Sequence, residues 1–101
     1  MAATTALATG SFTGTGNGTS VALSPGGANL AIWGTFVGTV VAEKSFDSGS
    51  TWVAASYPAI STAISLTAPA AITVEEPERG VQWRVRCSAY TSGTINYRIS
   101  Q

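Results

Sequence analysis

The sequence predicts an all-β fold: a single antiparallel β-sandwich, with a jelly-roll as one candidate arrangement, and an extended N-terminal arm. Three observations carry this. Gly, Thr, Ser and Val dominate, and no window keeps apolar residues at i, i+3, i+4 and i+7 beside capping residues, so helical signals are nearly absent. Short alternating runs recur along the chain, separated by turn clusters such as Ser24-Pro25-Gly26-Gly27 and Thr91-Ser92-Gly93. A length of 101 residues suffices for one core and is too short for two.

Residues 1–10, MAATTALATG, have no periodic apolar face and are read as a free arm, with the sandwich domain spanning 11–101. Ala2, Thr4 and Leu7 are its candidate partner contacts, made by adding an extended segment to a neighbour's sheet edge. Strands at Ser11–Thr15 and Thr19–Leu23 flank a turn at Gly16-Asn17-Gly18. The second strand stops at Ser24-Pro25-Gly26-Gly27, because proline cannot donate to a ladder and paired glycines accept positive φ. Asn29–Phe36 places Leu30 and Ile32 on one face and Ala31 and Trp33 on the other, the pattern of a central strand. Gly34 and Gly38 interrupt the apolar run and predict a bend, a bulge or close backbone approach.

From Val37 to Phe46 the chain alternates, with Phe36, Val40, Ala42 and Phe46 on one side and Lys44 as the exception among them. Thr51–Tyr57 is the return strand, closed by Pro58; short strands follow at Ile64–Thr67 and Ala71–Glu75. Glu76-Pro77-Glu78-Arg79-Gly80 reads as a charged turn whose acidic side chains stay wet. Val81, Trp83, Val85, Cys87 and Ala89 then alternate with polar residues, as do Ile95, Tyr97 and Ile99. These last two strands are predicted to pair as a hairpin across Thr91-Ser92-Gly93.

The octapeptide Ser45–Trp52, SFDSGSTW, has the spacing S-x-D-x-G-x-T-W and resembles the Asp-box, the hairpin signature of sialidase propellers. A propeller needs several blades of about 40–50 residues each, so this length excludes one. The physical reading is a turn device. Asp47 accepts backbone N–H bonds across the turn, Gly49 takes the positive φ of the reversal, and Trp52 lays its ring across the hairpin. In Asp-box proteins this hairpin lies away from the catalytic centre, which argues for a stable corner and against chemistry.

Five basic and five acidic residues balance, so nothing favours a nucleic acid or an acidic membrane surface as partner. A surface this poor in charge fits a protein covered by neighbours, and a homo-oligomer or a complex with a larger partner is expected. The absence of histidine removes the commonest general base and zinc ligand, and no metal or cofactor is expected. Cys87 has no partner for a disulfide and reads as a small core residue. Glu75, Glu76 and Glu78 cluster in the turn, where a catalytic pair is a poor reading. Arg84, Arg86 and Arg98 are the candidate basic stripe of a protein interface; the plainer reading pairs them across strands with Glu43, Glu75 or Glu76. Trp52 and Tyr57 are candidates for stacking on a sugar, against packing on the hairpin and core.

The string Trp33–Trp52, WGTFVGTVVAEKSFDSGSTW, and the ending TSGTINYRISQ resemble short β-sandwich structural proteins of tailed-bacteriophage virions. The resemblance covers about the last two thirds of the chain. It implies a capsid decoration or cement protein that bridges neighbouring major capsid proteins, made in the host cytoplasm and carried on the capsid surface as a trimer, since such proteins often occupy local or true three-fold axes. It transfers no catalytic residues. A tail, collar or fibre module is the nearest alternative, and a small carbohydrate-binding module the second.

Overall fold

The computed structural model describes residues 6–101. In chain order the strands are β1 (Leu7–Phe12), β2 (Gly16–Asn17), β3 (Val21–Ala22), β4 (Gly26–Trp33), β5 (Phe36–Ser45), β6 (Val53–Ala54), β7 (Ser65–Leu66), β8 (Ala70–Glu76), β9 (Gln82–Gly93) and β10 (Ile95–Ser100). They form two antiparallel sheets, ordered β1-β10-β4-β8 in the first and β2-β9-β5-β6 in the second, where β3 also pairs β9 and β7 also pairs β5. If β2 with β3, and β6 with β7, are each taken as one broken edge strand, eight strand positions remain. The chain changes sheet at every step but one, which is the jelly-roll order.

Alternation builds the core. Leu30 and Ile32 of β4, Val74 of β8, and Ile95, Tyr97 and Ile99 of β10 point inward from the first sheet. They meet Val40 and Ala42 of β5 and Trp83, Val85 and Cys87 of β9 from the second. Tyr97 stacks on Phe12 with ring centroids 5.0 Å apart, and its hydroxyl accepts the Thr19 N–H at 2.8 Å. A buried polar atom is thereby satisfied.

Three expectations are corrected. The last two strands do not form a hairpin: β9 lies in the second sheet and β10 in the first, with Thr94 alone between them. Their apolar faces therefore oppose one another across the core instead of lying side by side. The β4–β5 connection crosses at the same end, and the two corners are stitched together by Thr94 N–H donating to Thr35 O at 3.1 Å. Gly93 makes this possible, with φ 91° and no room for a Cβ against Thr35 O.

Residues 7–10, expected to belong to a free arm, are part of a strand. Leu7–Phe12 pairs in full with Ile95–Ser100 and Ala8 is buried, so the domain begins before residue 11. The inward position between Ala8 and Phe12 is Gly10, whose missing side chain is replaced by the Tyr97 ring. Ala2 and Thr4 lie outside the described residues. Lastly, Phe46 leaves the inward series and is 59 % exposed. Two register shifts between β5 and β9, at Val37/Gly38 and Thr39/Val40, leave Thr91 and Ser88 as extra residues on β9, so β5 keeps its alternation and Ala89 falls out of the inward series of β9.

Candidate functional site

The hairpin Ser45–Trp52 folds over the outer face of the second sheet. Ser45, buried at 1 % exposure, donates its hydroxyl to Asp47 Oδ1 at 2.7 Å and accepts the Gly49 N–H at 2.8 Å. Asp47 Oδ1 also accepts the Thr51 N–H at 2.8 Å, and Trp52 Nε1 donates to Gly49 O at 3.0 Å. Ser48 (φ 60°) and Gly49 (φ 92°) supply the reversal. The acceptor role of Ser45 is absent from the sequence reading, although the first Ser of the motif marks it.

The Ser45, Asp47 and Trp52 side chains are thus used within the turn. The Ser45 hydroxyl, followed by the Thr51 N–H, holds the Asp47 carboxyl below its ordinary 3.8. A carboxylate depressed by folding adds stability at pH above the unfolded value and loses it as pH falls through the folded one. Asp47→Asn should therefore destabilise the domain at neutral pH, with the difference from wild type shrinking below about pH 3.8. Thermal melts across a pH series check this, and a constant difference down to pH 2 would contradict it.

Beside the hairpin, Arg84 stacks on the Trp52 ring, its guanidinium carbon 4.1 Å from the centroid. Glu43 Oε1 meets Arg84 at 3.0 Å and Glu43 Oε2 meets Arg86 at 3.1 Å. One carboxylate thus holds both arginines. Arg98 stands apart on the outer face of the first sheet, so the three arginines do not form one stripe. It makes no ion pair among the described residues.

That outer face is built in register. One row crosses the sheet as Thr9, Arg98, Ala31 and Ala71; the neighbouring rows hold Leu7, Ser100, Asn29 and Thr73, and Ser11, Asn96 and Trp33. Ala, Ser, Thr and Asn fill most of it, with Leu7 and Trp33 exposed at 49 % and 47 % at its two ends.

A third cluster lies at the end of the sandwich. Glu76 is 1 % exposed, against the expectation that the acids of this turn stay wet. It accepts Trp83 Nε1–H at 2.9 Å, Lys44 Nζ at 3.3 Å and the Glu78 N–H at 3.0 Å. Lys44 is the exception in the inward series of β5 because it reaches this carboxylate. Its ammonium also lies 5.4 Å from the ring centroids of both Phe46 and Trp83. Above it, an open groove of about 430 Å³ is lined by Lys44, Tyr57 and Glu75, with Pro58 and Pro77 as its apolar walls. Of the turn acids, Glu75 alone faces this groove, whereas glycoside hydrolysis works with a pair. Tyr57 packs against the core and Trp52 lies under Arg84, so each ring already has a structural contact.

Comparison with protein-family models, curated proteins and solved structures finds no match to this chain.

Proposed function

We propose that this chain is a structural protein of a tailed-phage virion, of the capsid decoration type, which docks on the major capsid protein through the outer face of its first sheet. The observation that carries this reading is that face: an open four-stranded surface of mostly small side chains, with Arg98 in no ion pair among the described residues and Trp33 at the rim. Trp and Arg are the side chains that most often dominate binding energy at protein interfaces. An open sheet face without a concave pocket, carrying a cation that has no ion pair among the described residues, suits a large partner with a carboxylate opposite it better than a small substrate. The jelly-roll order is compatible, since viral capsid domains use it; lectins do too, so the fold alone does not decide.

Arg84 and Arg86 play no part in this docking, because Glu43 already holds them. The Ser45–Trp52 hairpin supports the sheet and touches no partner. The test is co-sedimentation with expanded, DNA-free heads of the phage that encodes the chain. Wild type and Asp47→Asn are expected to bind alike, while Trp33→Ala and Arg98→Glu each lose about tenfold or more in affinity. Binding of both face variants at wild-type strength would remove this face as the docking surface. No sedimentation of any form would remove the capsid assignment and favour a tail, collar or fibre position.

A further inference from the structure

We infer that β8 is a self-association edge, at which two copies of this chain join their first sheets across a two-fold axis. The inference stands on the sheet edges alone and does not depend on what the outer face binds. An open edge presents unpaired N–H and C=O groups, and folded proteins blunt such edges with short strands, bulges, prolines, charged side chains or inward-pointing charges. The second sheet follows this rule: its edge positions are the two-residue strands β2, β3, β6 and β7. In the first sheet, β1 adjoins residues 1–5, which lie outside the described residues.

The β8 edge is different. It runs for seven residues, AAITVEE, without proline or glycine; its two charges, Glu75 and Glu76, sit at one end, where Glu76 turns inward to Lys44, and its register with β4 is continuous from Gly26↔Glu76 to Ile32↔Ala70. Its other side pairs with no strand and makes no backbone hydrogen bond among the described residues. About half of its residues therefore point their N–H and C=O groups at an open edge.

The strand is also complementary to itself. In an antiparallel pairing of Ala70–Glu76 with the same residues of a second copy, Thr73 faces Thr73, Ile72 faces Val74, and Glu75 faces Ala71. Like-sized apolar residues meet on the core side, where Ile72 is only partly buried in a single copy. Threonines pair on the outer side, and no two carboxylates oppose one another. A two-fold contact of this kind is isologous and closes on itself, so it gives a dimer and not a filament. It departs from the three-fold arrangement that the resemblance to decoration proteins implies.

Sedimentation velocity of the full chain over a concentration series, with Thr73→Lys and Thr9→Lys, tests this. Both substitutions are on the outer face of the same sheet, and both positions are exposed. Only Thr73→Lys places two like charges opposite one another in the proposed pairing. The expected result is a concentration-dependent dimer for wild type and Thr9→Lys, and association at least about tenfold weaker for Thr73→Lys. Hydrogen exchange should show alternate β8 amides gaining protection with concentration. A wild-type monomer throughout the series, a trimer, or an equal effect of the two lysines would overturn the inference.

Discussion

Replacing Glu76 with alanine should cost about 3–5 kcal/mol, the scale measured when one partner of a buried ion pair is removed. Its carboxylate is buried and serves three donors: Trp83 Nε1, Lys44 Nζ and the Glu78 N–H. Alanine leaves the indole N–H inside the protein without an acceptor and Lys44 without its partner. Each unsatisfied buried group costs about 1–3 kcal/mol, and more if charged, so the sum is large for a domain of this size. With a shift of about 4–8 °C per kcal/mol, the melting temperature should fall by more than about 10 °C. Glu76→Gln keeps an acceptor for Trp83 and should lose less. Glu78→Ala, at an exposed position two residues on, should change stability by no more than about 0.5 kcal/mol. Thermal melts of the three variants decide it; equal shifts for Glu76→Ala and Glu78→Ala would refute the network.

The second large effect is expected at Trp83, 1 % exposed and among the largest fully buried side chains. Trp83→Ala should lose about 3–5 kcal/mol through lost burial and the cavity left behind. Trp83→Phe separates the two roles of the indole. It retains most of the apolar area but leaves Glu76 one donor short and the Lys44 ammonium over a smaller ring, so a loss of about 1–3 kcal/mol is expected. Because Trp83 and Glu76 share one hydrogen bond, the double variant Glu76→Ala/Trp83→Phe should lose less than the sum of its parts. Denaturant titration of the four proteins measures the coupling, and strict additivity would contradict it.

Both side chains show how far the sequence could be read. The alternation from Val81 to Ala89 placed Trp83 inward, because period two is a local property of an extended chain. Glu76 was legible by the same rule, since it is in phase with Val74, and Lys44 was visible as a cation in an inward series. The reading failed by grouping the turn acids by chemistry instead of by phase. Asp47, Gly49 and Trp52 were legible because a turn motif is local, and its hydrogen bonds span four residues or fewer.

What alternation cannot carry is the identity of the neighbouring strand. The strands ending at Gly93 and beginning at Ile95 each have one apolar face, and that pattern fits a hairpin as well as it fits two sheets facing one another. Only closure of the whole core selects the second. The β1 strand was missed for a related reason. Its inward residues are Ala8, Gly10 and Phe12, a weak local signal that becomes a strand when the Tyr97 ring, 87 residues away, fills the place of the missing Gly10 side chain. The outer face of the first sheet was likewise invisible, because it assembles Thr9, Ala31, Ala71 and Arg98 from four separate strands.

The central claim, that this jelly-roll reinforces a phage shell through that face, is tested most directly by the temperature at which DNA-filled heads release their DNA. Heads lacking the protein are mixed with wild-type chain or with Arg98→Glu, and release is followed by fluorescence of a DNA-binding dye during heating. A protein that spans neighbouring subunits adds interface at every contact, and many weak contacts held in register act together. Wild type should raise the release temperature in a saturable way, and Arg98→Glu should leave it near that of undecorated heads. An unchanged release temperature with wild type bound to the heads, or an equal rise with Arg98→Glu, would contradict the account.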